Sequence, residues 1–125
     1  MDERNVCELC TPDSVLCENV LAYARYDSHS LSAGHVIVVP RRHVADFFEM
    51  SPQEQAAIVE LLAKARDLIQ QKHQPNGYNI GANVGRAAGQ GRMHVHVHLI
   101  PRYSGDVANP KGGVRCVLQG KSRAV

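Results

Sequence analysis

A strict alternation of histidine with apolar residues between His94 and Leu99 leaves little choice of local structure. A period of two places every second side chain on the same face of a β-strand. Three imidazoles would therefore lie in a row, about 6.6 Å apart, while the valines and the leucine face a core. Imidazole suits metal ligation, nucleophilic attack and proton transfer near neutral pH. The alternative is a half-exposed strand whose polar positions happen to be histidine.

The remaining patterns predict an α+β domain, with strands at residues 21–26, 35–39, 78–84 and 93–100. Pro101 is expected to end the last strand, and residues 1–20, which lack periodicity, are expected to form an irregular arm. Ser51 and Glu54 have the spacing of a capping box, which starts a long helix with one apolar stripe. Pro75 lies where that helix should end. This order of elements is typical of a helix on one face of an antiparallel sheet.

A chain of 125 residues is enough for one domain, and a net charge of +2 argues for neither a nucleic-acid nor a membrane partner. The N-terminus is polar, so no secretory signal is expected, and no run of about 20 apolar residues would cross a bilayer. We therefore expect a cytoplasmic protein, in which thiols stay reduced.

Cys7 and Cys10 have the Cys-x-x-Cys spacing that can chelate one metal ion. Zinc needs two further ligands to complete a tetrahedron, and the candidates are His43 and one member of the histidine row. A simple pair of reduced thiols is the alternative. A thioredoxin-like redox pair is disfavoured, because that motif lies between a strand and a helix, whereas this one lies in the irregular arm.

A glycine-containing loop, residues 85–91, directly precedes the histidine row. Glycines let backbone N–H groups approach an anion, and Arg86, Arg92 and Arg102 would add positive potential nearby. Such a loop is often only a turn. Beside a row of histidines, it favours a phosphate-binding site.

The histidine row and its surroundings resemble the histidine triad (HIT) family, whose signature is three histidines alternating with apolar residues. The likeness runs in order along residues 5–105 and includes Asp27, Gly34-His35, the run from Pro40 to His43, the stretch from Gly77 to Asn83, and Gly89-Gln90. It implies a HIT-like fold, with an antiparallel sheet, one long helix and a short helix packed on it. It also implies a single domain over residues 1–125, with a zinc-binding arm in 1–20 and a C-terminal extension in 103–125.

The resemblance implies a covalent mechanism at the α-phosphate of a nucleotide, in which the middle histidine, His96, is the nucleophile. His98 would hydrogen-bond the phosphoryl oxygens, and Gln90 would be a third catalytic residue, near the scissile bridging oxygen. Asp27 would hold the ribose hydroxyls, and His35 would orient its neighbours. The implied nucleotide-binding set comprises Asp27, Ser28, Asn83, Gly89, Gln90, Gly91, His96 and His98.

For members with an N-terminal Cys-x-x-Cys, the resemblance implies a zinc ion at four positions, which here are Cys7, Cys10, His43 and His94. These are the same kinds of ligand that the cysteine spacing requires. Four protein ligands leave no open position for a substrate, so such a zinc would be structural.

The implied function is a nucleotide hydrolase or nucleotidyl transferase acting on a dinucleoside polyphosphate or a nucleoside phosphoramidate, with an adenine nucleotide as the expected substrate. One alternative is a non-catalytic nucleotide-binding module that signals or scaffolds. A zinc-stabilised structural or nucleic-acid-binding module is disfavoured, because two Phe, four Tyr and no Trp are too few for base stacking. Family members usually pair as twofold dimers, so a homodimer is expected.

Three positions depart from the family pattern. Gly91 stands where serine or threonine is common, Arg92 stands where an apolar residue is usual, and Ala33 replaces a frequent proline. Losing the hydroxyl at position 91 is expected to cost about one to three kcal/mol at the phosphate. The departures favour lower activity or a different leaving group.

Overall fold

The computed structural model describes residues 7–118, which contain five strands and one α-helix. The strands are β1 (Val15–Glu18), β2 (Ala22–Tyr26), β3 (Val36–Pro40), β4 (Gly77–Gly81) and β5 (Val97–Arg102). The helix, α1, spans Pro52–His73, and short 3-10 helices cover Glu8–Cys10, Phe47–Glu49, Arg86–Ala88 and Gly113–Val117. The short helices that accompany α1 are thus 3-10 turns.

The five strands form one antiparallel sheet in the order β1-β2-β3-β5-β4. All five residues of β3 are buried, as expected for the central strand. The strands β1 and β4 form the two edges. The antiparallel sheet with one long helix confirms the predicted α+β class.

The start of α1 follows the predicted capping box. The Ser51 hydroxyl accepts the backbone N–H of Glu54 at 3.0 Å, and the Glu54 carboxylate accepts the backbone N–H of Ser51 at 2.9 Å. Pro52 occupies the first turn, where its missing N–H costs nothing. The helix ends at His73, because Gln74 adopts a left-handed conformation with φ of 54°.

The sheet is covered on both faces, by different parts of the chain. The helix α1 packs on one face, where its apolar stripe meets side chains from β2, β3 and β5. On the other face, Leu9 from the N-terminal arm packs against Tyr23, Ile37 and Val39. The Tyr23 hydroxyl donates to the Leu9 carbonyl, and burial raises the pKa of Tyr23 to about 12. The arm is therefore anchored on the face opposite the helix.

Two predictions were wrong: that residues 1–20 contain no strand, and that a strand spans residues 78–84. The arm predicted as irregular contains β1, which pairs with β2 through a bulge and has no simple alternation of buried residues; residues 1–6 of that arm lie outside the described residues. The strand predicted at 78–84 is shorter and starts earlier, at Gly77–Gly81. In both cases, pairing with a neighbouring strand sets the boundary, and local composition does not reveal it.

The last strand also differs from the prediction, since β5 spans Val97–Arg102 and contains Pro101. The strand β3 pairs with β5 only as far as Leu99. Beyond that point β5 has β4 as its partner, and a proline is tolerated where one side of a strand is unpaired. His94 and His96 precede the strand. The predicted C-terminal extension is described as far as residue 118.

Within residues 7–118, no helix is both long enough and apolar enough to span a membrane.

Candidate active site and metal centre

The three histidines of the alternating row do not share one environment. Val95, Val97 and Leu99 are buried, as the alternation predicts. His94 is also fully buried and points toward the N-terminal arm, whereas His96 and His98 are half-buried, with ring centroids 5.0 Å apart. The row is therefore divided between two sites.

The first site brings together the four predicted zinc ligands. Cys10 Sγ lies 3.1 Å from His43 Nδ1 and 3.5 Å from His94 Nδ1, and Cys7 Sγ lies 3.4 Å from the same His94 nitrogen. All four ligand atoms lie within 4.8 Å of one another. Two thiols and two imidazoles at these separations match a tetrahedral zinc site.

Two contacts outside the ligand set position the histidines of this cluster. His94 Nε2 lies 2.7 Å from the Pro40 carbonyl, which can only accept, so the proton is on Nε2 and the Nδ1 lone pair faces the cysteines. Arg42 donates two hydrogen bonds, of 3.1 and 2.8 Å, to Glu54 at the start of α1. This pair fixes the loop that carries His43. The residues thus fit a zinc ion, which would close the site with protein ligands alone.

A backbone carbonyl sets the tautomer of the His96 ring. Its Nδ1 lies 3.0 Å from the carbonyl oxygen of His94, which can only accept a hydrogen bond. In the neutral tautomer Nδ1 therefore carries the proton, and Nε2 keeps the lone pair. That is the form an imidazole needs to act as a nucleophile.

His98 belongs to a cluster with His35 and Asp27, in which the two imidazole rings are hydrogen-bonded to each other. His35 Nδ1 accepts the backbone N–H of Leu31 at 3.0 Å, so the neutral His35 ring carries its proton on Nε2. That nitrogen lies 3.0 Å from His98 Nδ1 and 3.4 Å from Asp27 Oδ2. His98 accepts at Nδ1, and its proton is consequently on Nε2. His98 thus keeps an N–H donor on its other nitrogen.

Asp27, His35 and His98 also lie close enough together to be metal ligands. A metal at His35 Nε2 would require the lone pair of that nitrogen. The N–H of Leu31 already occupies the lone pair of Nδ1, which leaves the proton on Nε2. The three side chains are therefore held together by the hydrogen bond between the rings and by their contacts with the Asp27 carboxylate, and they do not fit a second metal centre.

The pKa values of the cluster agree with neutral imidazoles at His35 and His98. Burial lowers the pKa of His98 to about 4, and the neighbouring positive groups add to the effect. Burial also lowers the pKa of His35, although the Asp27 carboxylate opposes this. Burial opposes ionisation of Asp27, but the backbone N–H of His29 and the nearby histidines hold its pKa below the usual range. Asp27 is therefore the charged member of the cluster, and the imidazoles of His35 and His98 are neutral near pH 7.

These shifts predict that the protein loses stability in mild acid. A histidine in the unfolded chain takes up a proton near pH 6.5, whereas His98 in the folded protein does so only near pH 4. Between these values the unfolded chain binds more protons, so the free energy of unfolding falls as the pH falls. His98 alone accounts for about 3 kcal/mol of this loss, at about 1.4 kcal/mol per pKa unit.

Urea unfolding at pH 7 and at pH 4.5 measures this effect. Since release of a zinc ion would also destabilise the protein in acid, the readout is the difference between wild type and His98→Asn. The variant is expected to have the smaller loss of stability. His29→Asn, at an exposed histidine, is the matched control. The same pH dependence in wild type and His98→Asn would contradict the prediction.

Gln90 is buried and holds the loop that precedes the histidines. Its side-chain N–H groups donate to the carbonyls of Ala45, at 2.7 Å, and Arg92, at 3.0 Å, and its oxygen accepts the Gly85 N–H at 2.9 Å. Both amide hydrogens are therefore in use. A role at the bridging oxygen would require one of these bonds to break, and that role stays a prediction.

The other predicted nucleotide-binding residues lie on exposed loops. Asn83, Gly89 and Gly91 are exposed on the segment between β4 and β5, and Ser28 is exposed directly after β2. Ser28 Oγ lies 3.4 Å from Arg92 Nη2, so the two loops meet beside Asp27. The structure therefore brings Ser28 close to the histidine site. The contribution of all four residues to nucleotide binding stays a prediction.

The sequence did not reveal two features of the site. One is the set of backbone groups that determine which ring nitrogen of each histidine carries the proton, and the other is the ion-pair partner of Arg92. The carbonyls of Pro40 and His94 and the N–H of Leu31 have no signature in residue type, because every residue carries such groups. Arg92 forms an ion pair with Glu8, between the two cysteines of the arm, at 2.8 Å. No local pattern connects two residues so far apart in the chain.

Comparisons with known proteins give a consistent result. The HIT domain model matches residues 8–105. The "AP-4-A phosphorylase" of Mycobacterium tuberculosis is 34% identical over 93 residues, which are 74% of this chain and 48% of that protein. The "Adenosine 5'-monophosphoramidase hnt1" of Schizosaccharomyces pombe is 38% identical over 87 residues, which are 70% of this chain and 62% of that protein. The chain thus spans about half the length of the mycobacterial relative.

Solved structures share the fold. A HIT family protein from Bacillus anthracis superposes with a TM-score of 0.74 at 31% identity, covering 79% of this chain and 74% of that chain. A Zn-bound histidine triad family protein from Mycobacterium smegmatis has a TM-score of 0.74 at 26% identity, covering 84% and 81%.

Proposed function

Because this chain belongs to the HIT domain family, we propose that it is a nucleotide hydrolase that acts at the α-phosphate through a nucleotidyl-His96 intermediate. The observation that carries the proposal is the hydrogen bond from His96 Nδ1 to the His94 carbonyl, which leaves a lone pair on Nε2. The names of two relatives, a phosphorylase of a dinucleoside polyphosphate and an adenosine monophosphoramidase, support an adenine nucleotide as substrate.

In the first step, His96 Nε2 attacks the α-phosphorus and forms a P–N bond. The bond from phosphorus to the leaving group breaks, and its electron pair departs with that group. A polyphosphate leaves as an anion, whereas an amine also takes up a proton from solvent. The Nε2–H of His98 is the donor that would offset the charge developing on the phosphoryl oxygens. The His96 ring becomes positively charged, and its Nδ1–H remains bonded to the His94 carbonyl.

In the second step, water attacks the same phosphorus and releases one proton to solvent. The electron pair of the P–N bond returns to His96 Nε2, which regenerates the neutral imidazole, and the nucleoside monophosphate leaves. Zinc, when bound by Cys7, Cys10, His43 and His94, would hold the arm on the sheet. We propose a cytoplasmic setting, in which the cysteines remain reduced.

Intact mass spectrometry during turnover tests this proposal. We expect a covalent adduct of one adenylyl group after rapid mixing with diadenosine tetraphosphate or with an adenosine phosphoramidate, together with release of AMP. Binding of nucleotide with neither adduct nor product would contradict hydrolysis and favour the non-catalytic module. Product that appears only when inorganic phosphate is added would contradict water as the acceptor, because phosphate would then be the attacking group.

We further propose a homodimer that joins the β4 edges of two chains. The strand β4 is an edge of the sheet, and an apolar groove beside it is lined by Ile80, Val59 and Phe48, whose exposed fractions are 53%, 65% and 76%. An unpaired edge next to exposed apolar side chains is a surface that a second copy can cover.

Light scattering after gel filtration tests this arrangement. Ile80→Asp is expected to convert the dimer to a monomer, because it places a charge in the groove without disturbing a buried residue. Val20→Asp introduces the same charge at a valine that is 88% exposed in the turn between β1 and β2, and serves as the control. A wild-type protein that is monomeric at micromolar concentration would contradict the proposal.

A further inference from the structure

Arg92 places a positive charge at the rim of the histidine site. Its Nη2 atom lies 2.8 Å from Glu8 Oε1 and 3.4 Å from Ser28 Oγ. Ser28 directly follows Asp27, whose carboxylate lies 3.6 Å from His98 Nδ1. The guanidinium thus lies close to Asp27 and His98, which would bind the nucleotide.

The present partner of Arg92 holds it weakly. The side chains of Arg92 and Glu8 are 33% and 57% exposed, and an exposed ion pair contributes little to stability. A guanidinium has five N–H donors, and both of its contacts here use Nη2. A phosphate group, which binds guanidinium in a bidentate manner, could therefore replace the Glu8 carboxylate.

The residue before Arg92 leaves space for such a group. Gly91 is exposed, and a Cβ added to it would meet no atom within 4 Å. The loop thus has an open volume beside the guanidinium, at the position where the family often has a hydroxyl. An arginine next to open space at the edge of a nucleotide site is suited to bind an additional anionic group.

We propose that Arg92 and Ser28 form a subsite for a second phosphate group of the substrate, besides the one that His96 attacks. This proposal rests on the proposed function, since it takes a nucleotide to bind at His96 and His98. The second phosphate belongs either to the polyphosphate chain or to a hydroxyl of the ribose. Glu8 occupies the guanidinium in the free protein and opposes the anion by its charge.

Equilibrium binding separates this proposal from catalysis. Isothermal titration with AMP, ADP and adenosine 3',5'-bisphosphate gives the preference for a second phosphate on the chain or on the ribose. We expect wild type to bind one of the two doubly phosphorylated ligands about 10- to 100-fold more tightly than AMP, the range of a charged hydrogen-bonded contact. Arg92→Gln is expected to abolish that preference, and Arg92→Lys to retain part of it.

A Glu8 variant that responds in the opposite direction to Arg92→Gln distinguishes a binding role of Arg92 from a structural one. If Arg92 binds the ligand, Glu8→Gln is expected to strengthen the preference for a second phosphate several-fold. If the Arg92–Glu8 pair only ties the N-terminal arm to the loop, Arg92→Gln and Glu8→Gln would both weaken the binding of all three ligands to the same extent. Arg66→Gln removes an equal charge from an exposed arginine on α1 and is the control. Equal affinities of wild type for all three ligands, or parallel losses in Arg92→Gln and Glu8→Gln, would overturn the proposal. If the subsite is present but no adduct forms at His96, the proposed hydrolysis fails and the subsite remains.

Discussion

Replacing His96 with asparagine is expected to lower turnover of diadenosine tetraphosphate by about a thousandfold or more and to abolish the covalent adduct. Asparagine lacks the Nε2 lone pair that would attack phosphorus. It can still donate a hydrogen bond toward the His94 carbonyl, which is the contact that His96 makes in the native protein. His96 is half-buried, so the fold should survive the change. Release of AMP at substrate saturation is the measurement.

Two further variants separate the nucleophile from its neighbours. His98→Asn is expected to slow adduct formation without preventing it, because His98 would stabilise phosphoryl charge and would not bond to phosphorus. His29→Asn, at an exposed histidine, should leave turnover unchanged. Residual turnover of His96→Asn within tenfold of wild type, or an adduct that persists in it, would exclude the proposed intermediate.

Replacing Cys10 with serine is expected to release most of the bound zinc and to lower the free energy of unfolding by about 3 kcal/mol or more. Cys10 Sγ contacts both His43 and His94, so its loss removes a proposed zinc ligand at the centre of the cluster. The arm that carries Cys10 also places Leu9 in the core opposite the helix, and loosening the arm would expose that cluster. For a domain of this size, the loss corresponds to a fall in Tm of about 10 °C.

Metal analysis and thermal unfolding of the same samples check the result. Cys116→Ser, in the C-terminal segment, is the matched control and should keep about one zinc per chain. Full zinc content in Cys10→Ser would refute the four-ligand site. A metal-free wild type that unfolds at the same temperature as the zinc-bound protein would refute the structural role.

The elements with strong local signals were predicted correctly. The helix α1 starts at a capping box that involves only neighbouring residues, and the strand-like run that became β3 is rich in β-branched residues. The strand β1 was missed and the limits of β4 and β5 were displaced, because pairing across the sheet sets them. Pro101 shows the limit of a local rule, since a proline ends a strand only where its N–H is needed.

In the candidate site, too, local patterns were predictable and contacts between distant residues were not. The spacing of Cys7 and Cys10 and the alternating histidines indicated His43 and one histidine of the row as further ligands, and the resemblance selected His94. The side chain of Gln90 holds the loop through three backbone groups, an arrangement that the sequence did not indicate. A buried amide must satisfy its hydrogen bonds, and the partners available to it become visible only once the chain has folded.

The sequence alone indicated the class of domain, the burial of Val95, Val97 and Leu99 between the histidines, and the side chains that are candidates for metal ligation and nucleophilic attack, because these depend on periodicity and on residue type. The tertiary structure decided that His94 turns to the cysteines while His96 and His98 lie half-buried at the second site. It also decided which nitrogen of each ring carries the proton, through the carbonyls of Pro40 and His94 and the N–H of Leu31. Every residue has these backbone groups, so only their position in the fold distinguishes the ring of the proposed metal ligand from the ring of the proposed nucleophile.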